Sequence, residues 1–300
     1  MPLKELINNP HSERVRRLVT LGRGKSRDCE RFLVEGPQSV REAVRYASYA
    51  ISDIYVTQEA CVHNEDENNQ SSSLQEIVQE ALSRSLYVHP VESSIMQKIS
   101  SDSQGIAAVL NAQSLDETYV GEFQNLRESA LVENADKPLL IAACWQVRDP
   151  GNAGAIIRVA DVAGCDAVVF VDDCVSRWNA KLVRSTAGSL FHLPVVQMSV
   201  RDWFSYAKKA NVHVIAADIY GTDQRKPVPF PNILANTDLA SASVAILFGN
   251  EARGLPQEIL RQADDISIIP IYGKAESMNL ATSAAVMLMG LAMSSRARKI

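Results

Sequence analysis

Three stretches of this 300-residue chain gather residue types that hold and orient polar ligands: RDPGNAGAIIR (148–158), GNEARGLP (249–256) and IPIYGKAESMNLATSAA (269–285). Each comes where an apolar, strand-like run ends. In open α/β sheets ligands settle outside the carboxyl ends of the strands, where loops converge. Glycines such as Gly249 and Gly254 permit close backbone approach there. Asn152, Arg158 and Asn279 add amide and guanidinium groups at the same ends. Each residue also has a plain structural use. Gly249 and Gly254 can shape a tight turn, Asn152 can cap a helix beginning near Ala153, and Asn279 can cap the last helix. Arg158 can be a surface arginine, although it stands between Ile157 and Val159 in a helix otherwise fit for burial.

Other chemistry motifs fail on inspection. Gly22-Arg23-Gly24-Lys25-Ser26 resembles a phosphate loop, but that pattern needs a glycine where Val19 stands and an apolar strand before it. As a dinucleotide fingerprint it lacks its third glycine, the position being Arg27. His63 and Glu65 are not followed by Pro-Cys-x-x-Cys, which excludes a zinc deaminase. His11, His89, His192 and His213 are too scattered to suggest a metal site. There is no Gly-x-Ser-x-Gly elbow. Cys29, Cys61, Cys144, Cys165 and Cys174 form no Cys-x-x-Cys pair, and their odd number fits a reducing compartment.

The elements that must position the three stretches can be read from hydrophobic pattern. In the second half, strand-like runs occur at Leu139–Cys144, Ala167–Val171, Val195–Met198, Val212–Ala217, Val244–Phe248 and Ile266–Ile271, with helical segments between most of them. Short continuous apolar strands alternating with helices predict a parallel sheet covered on both faces. The first half predicts a basic helix from His11 to Leu21 with Ser12 as N-cap and Gly22 as stop. Strands follow at Phe32–Val34, Ile54–Thr57, Leu86–His89 and Gly105–Leu110, with helices at 37–49, 74–84 and 92–99. The polar run 63–73 predicts a mobile loop insertion. The pattern divides the chain into a first α/β domain (1–112), a linker (113–136) with some local structure, and a second α/β domain (137–300).

Composition bounds the classes. Hydrophobic residues make up 46% and charged residues 22%, as in globular chains. With 35 acidic and 30 basic side chains the net charge is −5, against a protein that coats nucleic acid by bulk charge. The first 31 residues nevertheless hold eight Lys/Arg against four Asp/Glu. Their basic residues (Arg14, Arg16, Arg17, Arg23, Lys25, Arg27, Arg31) suit phosphate contacts or a solvated helix face equally. The apolar stretch Leu280–Met293 is too short for a bilayer and there is no secretion signal, so a cytoplasmic, non-membrane protein is expected.

Taken together, NAGAIIR, GNEARG and IPIYGKAESMN, in this order and spacing, resemble the three motifs of the SpoU (TrmH-type) ribose 2′-O-methyltransferases of the SPOUT superfamily. KLVRSTAGSLFHLPV (181–195) is similar to that family's middle segment, so the resemblance covers essentially all of 138–300. RFLVEGPQSVREAV (31–44) and QGIAAV (104–109) look like the ribosomal-protein-like RNA-binding domain common in these enzymes. Met278 stands where leucine is usual.

The resemblance implies a parallel-sheet SPOUT domain with a deep trefoil knot, homodimerisation through that domain, and S-adenosylmethionine as cofactor, with no metal. It implies methyl transfer to a ribose 2′-hydroxyl in structured RNA, ribosomal RNA of the 23S type ahead of tRNA. The alternatives are a catalytically silent RNA-binding homologue and, from the sheet pattern alone, a nicotinamide-binding metabolic enzyme. By position, Gly249, Ile269 and Met278 match the cofactor cradle. Arg158 matches the family's essential arginine, a base or, since a guanidinium stays protonated, a clamp on a neighbouring phosphate. Asn152 and Asn279 would orient the ribose and the loop, Glu251 would hold Arg158 or a backbone amide, and Ser277 would hydrogen-bond near the transferred methyl. Arg14, Arg17, Arg23, Lys25 and Arg27 would contact RNA phosphates, while Lys181 and Arg184 meet RNA or only pack at the surface.

Overall fold

The computed structural model describes residues 4–23, 30–61, 69–131, 138–239 and 241–296. The first half runs α1 (Glu13–Gly22), β1 (Arg31–Glu35), α2 (Pro37–Tyr46), β2 (Ile51–Thr57), α3 (Asn69–Ser83), β3 (Val88–Val91), α4 (Ser93–Ile99), β4 (Ile106–Asn111) and α5 (Ala112–Leu131). Then come β5 (Leu140–Trp145), α6 (Pro150–Val162), β6 (Ala167–Val171), α7 (Ala180–Ser185), β7 (Val195–Met198), α8 (Val200–Lys209) and β8 (Val212–Ala217). The chain ends with β9 (Val228–Pro229), α9 (Phe230–Leu234), β10 (Ser243–Phe248), α10 (Gln257–Gln262), β11 (Asp265–Ile268) and α11 (Leu280–Arg296). These elements form two compact units, Met1–Glu117 with Arg177–His192, and Thr118–Ser176 with Leu193–Ile300.

The first unit holds a four-stranded sheet in the order β1-β4-β2-β3, with β4 antiparallel to both neighbours and β2 parallel to β3. Ser12 caps α1, its hydroxyl accepting the Val15 N–H at 3.3 Å, and the helix buries Val15 and Leu18 against Leu33, Ile95 and Val109. Gly22 closes that helix where a Cβ would lie 2.4 Å from the Ile99 carbonyl oxygen, so only glycine passes.

Residues 177–192, which the sequence alone places with the second half, pack in this unit. Trp178 stacks on Phe32 with ring centroids 4.7 Å apart, and His192 Nε2 lies 3.2 Å from Glu42. Arg184 bonds Glu35 at 2.5 Å and also Asp102. Glu35 is buried at the end of β1 and accepts the Ser100 hydroxyl as well. A buried carboxylate needs such partners, which gives residue 184 a structural use for its charge.

Two polar stretches are helical. The stretch read as a linker is largely α5: Asn111 Oδ1 accepts the Ser114 N–H at 2.9 Å, and Leu115, Tyr119 and Phe123 are its buried stripe. Three apolar positions spaced by four suffice to seat a helix whose other faces are polar. Of the run read as a mobile loop, residues 62–68 lie outside the described residues, and α3 begins at Asn69, earlier than 74.

The second unit is a seven-stranded sheet in the order β7-β6-β5-β10-β8-β11-β9, with every pairing parallel. Every residue of β5 and β6 is buried, as strands covered on both faces require. Helix α11 packs along α6 and α9. The edge strand β9 escaped the sequence reading because it is two residues long and contains Pro229, which edge strands tolerate. Among the described residues, no helix is long and apolar enough to cross a membrane.

Candidate functional site

Strand order brings the carboxyl ends of β5, β10, β8 and β11 side by side in the second unit. The loops that follow line one cleft of about 520 Å³. Asn152 faces it from the first turn of α6, Gly249 to Gly254 from the turn after β10, Asp218 to Tyr220 from the loop after β8, and Ile269 and Ser277 to Asn279 from the segment after β11. Its floor is apolar, with Ala217, Phe248 and Met287 buried or nearly so, and its rim is polar.

The turn after β10 is fixed by its own chemistry. Buried Asn250 donates from Nδ2 to the Gln146 carbonyl at 2.7 Å, and its Oδ1 accepts the N–H groups of Ala252 (3.1 Å) and Arg253 (3.2 Å). The Gly254 N–H returns to the Asn250 carbonyl at 2.9 Å, with φ +63° at Gly254. A Cβ on Gly249 would lie 2.6 Å from the Gly254 carbonyl carbon. Gly249 is therefore required first by the closure of the turn, and only then by any ligand.

From this turn Glu251 reaches across to the start of α6. Its carboxylate accepts the backbone N–H of Arg148 (3.3 Å) and Asp149 (3.1 Å) and lies 3.4 Å from Asn152 Nδ2. Asn152 Oδ1 in turn accepts from Asn279 Nδ2 at 3.0 Å. Asn279 Oδ1 accepts the N–H of Ala281 (2.9 Å) and Thr282 (3.3 Å), capping α11. A continuous relay Glu251–Asn152–Asn279 thus ties three strand-end segments together. Asn152 itself is no cap: Asp149 caps α6, accepting the Asn152 N–H at 2.8 Å, and the helix starts at Pro150 rather than near Ala153. The Asp-Pro pair at 149–150, an N-cap followed by proline at N1, was the available signal for this.

The cleft brings together Asn152, Glu251, Ser277, Asn279, Gly249, Ile269 and Met278. Arg158 does not line it. Six residues beyond Asn152, it sits about 120° round α6 and roughly 9 Å along it. Its guanidinium is exposed and has no internal partner among the described residues, so Glu251 holds backbone amides and not Arg158. Sequence reasoning missed Asn250 and Asp218. The latter is buried and accepts the N–H of Tyr220 (2.8 Å) and Gly221 (2.7 Å) through Oδ1.

In the first unit, Arg14 lies 3.3 Å from His89 Nδ1, whose Nε2 meets Asp53 at 2.6 Å, and Arg17 pairs with Glu13 on the exposed face of α1. Arg23 is exposed at the end of α1. Lys25 and Arg27 lie outside the described residues. Burial pushes the thiol of Cys174 up to about 11, and that of Cys144, within β5, well above its ordinary value, which disfavours the thiolate at both. Among the described residues no three His, Cys, Asp or Glu side chains cluster as metal ligands.

A parallel α/β unit whose strand-end loops interlock around a polar-rimmed cleft is a ligand-binding architecture of the open-sheet class. The sequence profile of the SpoU rRNA Methylase family matches residues 139–289, which span that unit's sheet and cleft. The chain belongs to this family. It is 40% identical over 154 residues to the 23S rRNA (guanosine(2553)-2′-O)-methyltransferase RlmP of Bacillus subtilis (strain 168), covering 51% of this chain and 57% of that one. It is 23% identical over 225 residues to the 23S rRNA (guanosine-2′-O-)-methyltransferase RlmB of Neisseria meningitidis serogroup B, covering 74% and 82%. The chain spans about half the length of the curated relatives it matches first. A crystal structure of an rRNA methyltransferase from Sinorhizobium meliloti shares the fold over 100% of both chains, with TM-score 0.73 at 24% identity.

Proposed function

We propose that the chain transfers a methyl group from S-adenosylmethionine to a ribose 2′-hydroxyl of RNA, ribosomal RNA of the 23S type in preference to tRNA. The observation that carries this reading is the Glu251–Asn152–Asn279 relay on the rim of the cleft that Gly249, Ile269 and Met278 also line. The names of the relatives, 23S rRNA 2′-O-methyltransferases, support the choice of reaction and RNA. We also read the second unit as carrying the SPOUT knot and a homodimer contact, residues 1–112 as the ribosomal-protein-like RNA-binding part, 113–136 as its connection to the catalytic part at 137–300, and the cytoplasm as the place of action.

The cleft suits the cofactor. Its volume lies in the range of small-ligand sites, its floor is apolar, and the turn after β10 offers backbone close to the cavity without side-chain bulk at Gly249. Gly249, Ile269 and Met278 would hold the adenosine part. When bound, the cofactor supplies an electrophilic methyl on a sulfonium. Transfer would form the oxygen–methyl bond, break the sulfur–methyl bond to leave the neutral thioether, and release the hydroxyl proton to solvent, so the protein's share would be chiefly alignment. Both oxygens of the Glu251 carboxylate are engaged, which keeps it an acceptor that locks Asn152. Asn152 and Asn279 present amides that orient the ribose, and Ser277 adds a hydroxyl at the rim. Arg158, exposed and without an internal partner among the described residues, is a phosphate clamp, since a guanidinium does not give up its proton.

The test maps alkali-resistant 2′-O-methylated linkages across total RNA from cells with and without the gene. One protected ribose should vanish on deletion, return with the intact gene, and stay absent with Arg158→Ala. Survival of every protected site after deletion would defeat the proposal.

A further inference from the structure

The second unit exposes nine large hydrophobic side chains among its described residues, and five of them (Ile219, Tyr220, Ile271, Tyr272, Met278) stand on the two segments that follow β8 and β11, all but Tyr272 lining the cleft. Tyr220 is 83% and Tyr272 93% exposed, and among the described residues they are the exposed aromatic rings of this unit. Tyr220 is not loose. Asp218 holds its N–H and that of Gly221, the Gly221 carbonyl accepts from Gln257 Nε2 at 2.8 Å, and Gly221 takes φ +73° where a Cβ would lie 2.4 Å from the Arg225 carbonyl oxygen. The loop is built tightly and yet leaves the ring in water. Tyr272 follows Ile271, part of the cleft wall, and precedes by two residues the exposed Lys274. Strands β8 and β11 are neighbours, so both rings rise from adjacent strand ends.

Resting on the methyltransferase reading, we propose that Tyr220 and Tyr272 are stacking platforms for unpaired nucleobases of the RNA substrate, flanking the nucleotide to be methylated, with Lys274 as a backbone contact. Single-stranded RNA is held by aromatic faces interleaved with cations. The cofactor is the less suitable occupant, because the apolar floor residues Phe248 and Met287 are buried whereas these rings stand almost wholly in water.

The test compares short labelled oligoadenylate and oligouridylate RNAs binding to the full chain. Adenine stacks more strongly, so the wild type should prefer oligoadenylate. Tyr220→Leu/Tyr272→Leu should weaken oligoadenylate binding about tenfold or more and erase the preference. The corresponding double phenylalanine variant, which keeps both ring faces, should retain the preference, the S-adenosylmethionine affinity by calorimetry and the mass in solution. Three results would each overturn the assignment. If S-adenosylmethionine affinity falls while RNA binding holds, the rings cover the cofactor. If the mass changes, they meet a second copy. If oligoadenylate binding is unmoved, they hold no base. A wild-type chain that binds no S-adenosylmethionine would instead defeat the methyltransferase reading itself.

Discussion

Replacing Gly249 by alanine tests whether the turn after β10 closes on itself. The new Cβ would lie 2.6 Å from the Gly254 carbonyl carbon, 2.8 Å from its oxygen and 2.8 Å from the Leu255 nitrogen. Ordinary contact begins at 3.4 Å, so the turn must open by the difference, about 0.8 Å. All three atoms are backbone, and no change of rotamer relieves the overlap. Overpacking costs about 1–3 kcal/mol, and rigid neighbours place this case near the top of that range. Opening also strains the Gly254-to-Asn250 hydrogen bond and moves Glu251, which the turn carries. At roughly 2–4 °C per kcal/mol for a unit of this size, Tm should fall by roughly 6–12 °C. If half the cost falls on the cleft, S-adenosylmethionine binding weakens about tenfold, at ~1.4 kcal/mol per decade. Scanning calorimetry and isothermal titration read the two effects. Gly121→Ala is the control: that glycine lies within α5 with nothing within 4 Å of its Cβ position, and alanine there should stabilise by about 0.5–1 kcal/mol. An unchanged Tm and Kd for Gly249→Ala would refute the closure argument.

Asn279→Asp separates two roles: the carboxylate still caps α11 but has no N–H to give Asn152, so stability by urea titration should hold within about 0.5 kcal/mol. Turnover should fall by on the order of 10²-fold through misalignment. Arg184→Ala leaves buried Glu35 with the Ser100 hydroxyl. Because Arg184 is half exposed, the loss in a denaturant titration should be about 2–3 kcal/mol, below that of a fully buried pair, and Glu35→Gln added to it should recover most of the loss. Burial, with Asp53 nearby, pushes Tyr55 up to about 12 from its ordinary value near 10. The folded chain therefore keeps this proton longer than the unfolded one, and the associated stability is whole below pH 10 and lost as pH rises towards 12. Urea titrations at rising pH should show wild type losing about 2–3 kcal/mol more than Tyr55→Phe.

The strands of both sheets are legible because continuous apolar runs such as Ala167–Val171 have no other stable home, and their spacing by helices dictates parallel pairing in the second unit. The convergence of Asn152, Glu251 and Asn279 follows from the same pattern, since all three stand in the segments that follow parallel strands of one sheet. What was not legible depends on partners distant in sequence. Nothing around Arg184 reveals that Glu35 and Asp102 wait for it, and nothing local to Glu251 says that its acceptor sites face the amides of residues 148 and 149. Arg158 stands apart from the cleft because helical geometry turns it away from Asn152, which a linear motif does not display. Helix α5 was hidden because its buried stripe of three residues is diluted by polar neighbours.

The excursion of residues 177–192 into the first unit has a consequence for synthesis. The chain passes between units after Glu117, after Ser176 and after His192, so no single cut yields two self-sufficient pieces. On the ribosome, the first sheet emerges with Glu35 lacking its arginine and Phe32 lacking Trp178. Both arrive only after β5 and β6, the beginning of the second unit's sheet, have been made. The first unit thus completes its fold late: in a nascent chain stalled before residue 177, Glu35 has the Ser100 hydroxyl but no arginine, and Phe32 has no ring to stack on.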